Sequence, residues 1–421
     1  MPLTRRSFVK TAAALAGSSI ATHSRLAFAA PASTRLTQVV PDLDHIHKWN
    51  DSNGDTWDPF WADDGNLYAF NCDGRGFGPK GRGRNLAFNK LVGEAADALA
   101  GSQVNSMDEY GKGGKKGPDG ATWKACGQEC IDGVFYAFVS RNTYGDESKD
   151  SWLRQTAVNC SLIKSTDRGF TWTRSADENY AYPMWPGPAF GAPFFIHYGQ
   201  NGGSVARDGA DRFVYASSTN GFWNDGDSYI LGRVERHKLA ALRSSDWSYY
   251  TGGEGARAAN WSANIADARP ILYSPVHCGQ GPICYIPALG IYLLIAWYNT
   301  EKMVKWFEPN RMQYDFYDAD HPWGPWRLVN SFDDSFIPSK FGAEGHMYGP
   351  SLCARFQRQS GSEVHMTMFT AGCPFKDIPQ GLYKMWEIPL ILRTEPVHGD
   401  DVRIVSKGSG LVAIESLRVA D

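Results

Sequence analysis

Asp55 and Asp73 bracket the stretch of this chain richest in chemical possibility, GDTWDPFWADDGNLYAFNCDG from Gly54 to Gly74. Asp64-Gly65 is a hairpin signal between two aromatic-rich runs, because the tight turns that match strand twist need φ > 0 and favour Asp-Gly. The first run begins just after Asp55 and the second ends just before Asp73, so an antiparallel hairpin carries both acids to its open end. Two carboxylates held together can divide acid and base work at a glycosidic bond. A separation of about 5 Å suits an acid beside a nucleophile, and about 6.5–9.5 Å suits an inverting pair with water between them. Like charges that close also drive one pKa upward, as a general acid requires. The competing reading is that both acids only satisfy turn backbones, as Asp does in many loops.

The elements that must position this pair are strands. Of 421 residues, 44 are Gly, 15 Trp, 19 Tyr and 22 Phe, and 43% are hydrophobic, which excludes wholesale disorder. Short aromatic and β-branched runs, separated by Gly, Asp, Asn and Pro, predict strands at 67–71, 133–140, 160–164, 212–217, 229–234, 291–298 and 364–370. Helical periodicity is confined to 90–99 (KLVGEAADAL) and to one or two turns at 236–242. Residues 104–120, rich in Gly and Lys, read as an exposed loop. No proline-rich linker divides the chain after residue 30, so residues 31–421 are expected to form one all-β domain.

Ser165-Thr166-Asp167-Arg168-Gly169-Phe170-Thr171-Trp172 has the form S-x-D-x-G-x-x-W. In such a turn the Asp accepts backbone N–H groups, Gly supplies φ > 0 and Trp packs beneath. The motif resembles the Asp-boxes of sialidases and other β-propellers, which join the outer strands of a blade away from the catalytic face; Asp167 is therefore not a catalytic candidate. At about 45–70 residues per blade the chain holds five to seven blades of four antiparallel strands. The segment WADDGNLYAFNCDGRGFG further resembles a family of secreted, sialidase-like, carbohydrate-active β-propellers, long known only as a domain of unknown function. That group is related to endo-D-arabinanases, whose two catalytic aspartates flank such a hairpin. Weaker similarity covers 159–172, 192–238, 284–297 and 321–352. The resemblance implies a glycoside hydrolase in which Asp55 and Asp73 are catalytic.

A second chemistry is elimination next to a uronic acid. Propeller-type polysaccharide lyases use Tyr, His and Arg as base, acid and charge neutraliser. Tyr215 and Arg233, on adjacent predicted strands, are the candidates here. The paired histidines of such lyases are missing, since 121–162 contains no His, and Asn159 is the candidate substitute as a carboxylate ligand there. A third class is a glycan-binding propeller without turnover, relying on aromatic stacking. Candidate substrate-binding residues are Trp57, Arg75, His197, Asn159 and His346. Arg75 opens the cationic stretch GRGFGPKGRGR with Lys80, Arg82 and Arg84, a rim that attracts acidic glycans; its glycines do not form a nucleotide phosphate loop.

No cofactor is expected, and no His spacing matches a metal motif. Asp225 and Asp227 in NDGD are the only calcium candidates, without a complete binding loop. With 42 Lys+Arg against 45 Asp+Glu, the charge balance excludes a generic nucleic-acid binder. Thr4-Arg5-Arg6-Ser7-Phe8-Val9-Lys10, a short apolar stretch and Ala27-Phe28-Ala29 form a twin-arginine signal over residues 1–30, too short to stay in a bilayer. The expected product is a periplasmic or extracellular monomer. Eight cysteines suit an oxidising space as disulfides or buried thiols, with Cys278–Cys284 and Cys126–Cys130 as candidate local bridges.

Overall fold

The computed structural model describes residues 35–416 except 82, 144–154, 176–181, 204–206, 254–258, 301–310, 342–344, 375–379, 395–401 and 407–411. Contacts divide the chain into two units, Met1–Ala30 and Pro31–Asp421, and every described residue belongs to the second. The twin-arginine pattern lies outside the described residues. No helix among the described residues is long and apolar enough to cross a membrane.

Five antiparallel sheets follow one another as the blades of a β-propeller. Blade 1 is Phe60–Trp61, Leu67–Gly74, Arg84–Val92 and Ala100–Asn105. Blade 2 is Thr122–Ile131, Val134–Thr143, Thr156–Ser165 and Thr173–Arg174, with Trp185–Pro186 also paired to its third strand. Blade 3 is longer: Pro193–Phe195, Phe213–Thr219, Gly226–Glu235, Trp247–Gly252 and Asn260–Ser262, with Leu272–Cys278 paired to its third strand. Blade 4 is Ile283–Ile286, Ile291–Asn299, Met312–Ala319 and Arg327–Asp333. Blade 5 is Gly345–Ser360, Glu363–Pro374 and Met385–Arg393, and its outer edge is completed by Gln38–Pro41 from the start of the chain. That pairing joins the start of the chain to the last blade and closes the ring.

All seven predicted strands are present; each is longer overall than predicted, although Gly133 and Arg212 fall just outside theirs. The helix expected at 90–99 is not formed. Lys90, Leu91 and Val92 finish a strand of blade 1, and only Ala96–Ala98 makes a short 3₁₀ turn. The apolar residues of that stretch satisfy a helical period, but pairing with Leu67 and Tyr68 buries Leu91 completely. Tertiary pairing outweighs a weak helix preference. The turn at 236–242 is observed as 3₁₀ helix over Arg236–Ala241. Between Thr156–Ser165 and Thr173–Arg174, Asp167 accepts the backbone N–H and the hydroxyl of Thr171 at 2.9 and 2.6 Å, while Gly169 takes φ 88°. Trp172 lies against Phe70 and Phe88, so this turn also ties blade 2 to blade 1.

The described cysteines are buried thiols rather than disulfides. Cys126 and Cys130 lie along one strand, where four residues of extended chain hold them well beyond bridging range. Cys278 and Cys284 belong to different blades, and the two thiols donate to separate carbonyls, of Ser274 and Tyr285.

Candidate active site

The segment from Trp49 to Thr56 leaves the closing blade and enters the first. It is pinned at the start by Ser52, whose hydroxyl donates to the Trp49 carbonyl at 2.7 Å and accepts the Met385 N–H at 2.8 Å. Asp55 then exchanges two backbone hydrogen bonds with Cys72, at 3.0 and 2.8 Å, extending the hairpin beyond Phe60–Trp61. The Asp64-Gly65 turn forms as the sequence requires, with Gly65 at φ 83° and the Ala62 N–H donating to the Asn66 carbonyl at 3.0 Å. Asp55 and Asp73 therefore do share the open end of one hairpin.

Two glycines make that end narrow enough. Gly54 precedes Asp55 and Gly74 follows Asp73, and a Cβ on Gly74 would strike the backbone of Asn53 and Gly54. Gly54, at φ 120°, has the Cys72 carbonyl where its own Cβ would stand. Asp73 itself adopts φ 49°, which turns the chain away after the strand.

Around this pair the neighbouring blades supply polar groups. The hydroxyls of Tyr348 and Tyr383, both from blade 5, donate to one carboxylate oxygen of Asp55 at 2.6 and 3.0 Å. The Thr56 hydroxyl donates to the other at 3.1 Å. Lys124, near the start of the inner strand of blade 2 and almost fully buried, directs its ammonium onto the carboxylate of Asp73. Burial raises the Asp55 carboxyl above its ordinary range; the charge of Asp73 adds to the rise, and Lys124, Tyr348 and Tyr383 oppose it. The two aspartates thus differ in environment: one is buried and favours its proton, the other faces an ammonium. That asymmetry is the electrostatic requirement for splitting acid and base roles between two like groups.

Three residues after Asp55, Asp58 belongs to a second, buried cluster. His197 places Nε2 3.0 Å from Asp58 and Nδ1 2.7 Å from Glu129, and all three are essentially without solvent exposure. Asp58 also accepts the Ser351 hydroxyl at 2.6 Å and the Gln128 N–H at 3.2 Å. Burial works against a charged imidazole, but Asp58 and Glu129 overcome it and hold the pKa of His197 at about 10. The cluster joins blades 1, 2, 3 and 5.

Sequence reasoning missed Asp58, Glu129, Lys124, Tyr348 and Tyr383. The available signal was an acid or base inside otherwise apolar inner-strand runs, as in W-D-P-F-W and T-W-K-A-C, since buried charges occur almost only when paired.

Other expected site residues fall elsewhere. Trp57 is fully buried, donates to the Gly54 carbonyl at 2.9 Å and packs edge-on against Phe77; it supports the Asp55 loop and offers no ring to a sugar. His197 has both nitrogens occupied and is 1% exposed, so it is not a sugar contact either. Asn159 stands on the third strand of blade 2, opposite Arg141 and Pro186, two strands away from the inner one. His346 begins the inner strand of blade 5, buried, two residues before Tyr348. Arg75 follows Asp73 and Gly74, and donates to the carbonyls of Gly78 and, at 2.7 Å, Asp51.

Tyr215 and Arg233 are register partners, as their strands predict. They sit at the strand ends opposite to those carrying Asp55 and Asp73. Tyr215 is buried with its hydroxyl on the Asp208 carbonyl at 2.6 Å, and Arg233 is sandwiched between Phe213 and Trp261. The pair does not join the Asp55 site. Asp225 receives the backbone N–H of Asn299 and side-chain amides of Asn299 and Asn224, and Asp227 receives the Val276 N–H, so both carboxylates bind neighbouring chain rather than converge on one point. Among the described residues no group of three or more His, Cys, Asp or Glu is placed to hold a metal ion.

No protein-family model and no curated protein sequence matches the chain. Solved structures resemble it at low identity. A putative hydrolase from Bacteroides ovatus is 15% identical with a TM-score of 0.48, over 84% of this chain and 90% of that one. An α-L-arabinofuranosidase from Podospora anserina, solved with cellotriose, is 10% identical with a TM-score of 0.41, over 86% and 96%. A glycoside hydrolase family 43 arabinoxylan arabinofuranohydrolase from Bacillus subtilis, solved with cellotetraose, is 11% identical with a TM-score of 0.41, over 88% and 67%.

Proposed function

We propose that this protein is a glycoside hydrolase that cleaves a polysaccharide with Asp55 and Asp73, after twin-arginine export to the periplasm or beyond. One observation carries the reading: the two aspartates share the open end of one hairpin, with Asp55 buried under two tyrosine hydroxyls and Asp73 facing Lys124. In this reading Asp55, kept protonated by its surroundings, gives its proton to the leaving glycosidic oxygen. Asp73, facing the ammonium of Lys124, serves as nucleophile or as base toward water. Tyr348 and Tyr383 orient Asp55 and take up the charge it acquires on losing the proton. The resemblance of WADDGNLYAFNCDGRGFG to sialidase-like propellers and endo-D-arabinanases agrees with this assignment.

The test is a polysaccharide panel incubated with the exported, signal-free protein, with products identified by mass. Products that gain one water are expected. Products bearing an unsaturated, ultraviolet-absorbing sugar would replace hydrolysis with elimination. Binding without turnover, unchanged in Asp55→Asn and Asp73→Asn, would make the protein a lectin.

A further inference from the structure

Several cations of blades 1 and 2 are neutralised by a carboxylate. Lys124 meets Asp73, Arg84 meets Asp108 at 2.5 Å, and Arg141 meets Asp119. Three at one edge of the Asp55 site are not. Lys384 directly follows Tyr383 and donates to the Ser52 carbonyl at 2.7 Å; Arg75 donates to the adjoining carbonyl of Asp51 at 2.7 Å; Lys48 reaches toward the Gly381 carbonyl at 3.5 Å. None of the three forms an ion pair among the described residues. Each keeps donors beyond those it uses, since an ammonium has three and a guanidinium five. All are half-buried.

The carbonyls held by Lys384 and Arg75 belong to the consecutive residues Ser52 and Asp51, and Lys48 reaches the carbonyl of Gly381, three residues before Lys384. Burial lowers the pKa of Lys384, the charges of Arg75 and Lys48 lower it further, and the nearby Asp51 opposes them. Three cations thus stand against one carboxylate. Lys48 also lies over the Trp386 ring, 5.2 Å from its centroid, but the three like charges repel one another, and an incoming anion relieves that repulsion. Its position is specific. Ser52 and Asp51 begin the loop that carries Asp55, Tyr383 bonds to Asp55, and Arg75 lies just past Asp73.

We propose that Lys48, Arg75 and Lys384 form a subsite for an anionic group of the glycan, a carboxylate or a phosphate, on the sugar next to the bond that is cut. The inference rests on the hydrolase reading for its substrate, and binding measured without turnover separates the two. The Asp55→Asn chain is titrated calorimetrically at low salt with hexagalacturonate, with its carboxyl-reduced neutral counterpart, and with a phosphorylated mannan oligosaccharide against its dephosphorylated form. One anionic ligand is expected to bind about tenfold tighter than its neutral partner, which also tells carboxylate from phosphate. The preference should disappear in Lys384→Met and in Arg75→Met, survive in Lys384→Arg, and fade as salt is raised. Equal affinity for charged and neutral forms in both pairs overturns the subsite, as does a preference that persists in a folded Arg75→Met/Lys384→Met double variant. A charge-dependent preference with no cleavage of any panel glycan would keep the subsite and reject the hydrolase; cleavage of neutral glycans with no charge preference would do the reverse.

Discussion

The hydroxyl of Tyr348 lies 2.6 Å from a carboxylate oxygen of Asp55, joining the last blade of the ring to the loop that opens the first. Three residues further along both segments the contact repeats, with the Ser351 hydroxyl 2.6 Å from Asp58. The two rungs fix the height of Asp55 against blade 5, and Asp58 passes that anchorage to His197 and Glu129. Asp55 and a member of the buried ionic cluster therefore share one short segment, and the expectations below separate them.

Replacing Asp55 or Asp73 by Asn should lower turnover by about 10²–10⁴-fold, the usual contribution of a positioned acid or base. Both should fold, Asp73→Asn with lower stability because it strips the buried Lys124 of its carboxylate. Asp55 has a raised pKa, so its charged form is the one disfavoured by folding; at neutral pH Asp55→Asn should melt no lower than the parent. Assay of both variants with a validated glycan, beside thermal unfolding, checks this. Near-normal activity in either one removes that residue from the mechanism.

The alkaline limb of the pH–rate profile should report deprotonation of Asp55. Lys124 and the tyrosine hydroxyls pull that pKa down against burial. Tyr348→Phe and Lys124→Met should each move the limb to higher pH, because each removes a group that stabilises the ionised form. Lys124→Met should also reduce the rate, since it leaves Asp73 without its ammonium. A limb that stays in place or moves to lower pH would assign it to another group.

His197 links pH to stability in the opposite sense. Its folded pKa of about 10 lies above the unfolded value, so its contribution is complete below about 6.5 and is lost as pH rises through 10. Thermal unfolding followed from pH 6 to 10 should show the parent weakening, with His197→Gln less stable at pH 6 and flatter across the range. Asp58→Asn should cost about 3–5 kcal/mol, because it strips one partner from a buried charge. A parent with unchanging stability over that range would contradict a charged His197.

Gly74→Ala tests how tightly the two aspartates must be held. The added methyl meets the backbone of Asn53 and Gly54, and the strands can accept it only by parting. Activity should fall further than stability, since misplacement of about 1 Å can cost 10²-fold in rate. Equal activity in a folded Gly74→Ala chain would mean that Asp55 and Asp73 work independently.

The sequence alone determined the strands and the principal hairpin. Alternating aromatic and β-branched runs mark half-buried strands by local physics, and Asp64-Gly65 has few conformations other than the turn it forms. Placing Asp55 and Asp73 at one open end followed from counting along that hairpin, with no long-range information. Everything that crosses between blades was decided by tertiary structure. Asp58, Glu129 and His197 are 139 residues apart at the extremes, and nothing local distinguishes an ionised buried cluster from three separate polar residues. Trp57 read as a sugar platform because aromatic rings serve both stacking and packing; burial alone assigned it to the core. The helix expected at 90–99 failed for the same reason, because strand pairing buried Leu91 from outside the window in which periodicity is counted. Ring closure by Gln38–Pro41 joins residues some 350 positions apart, and it is this closure that brings Tyr348, Tyr383 and Lys384 to the loop of Asp55.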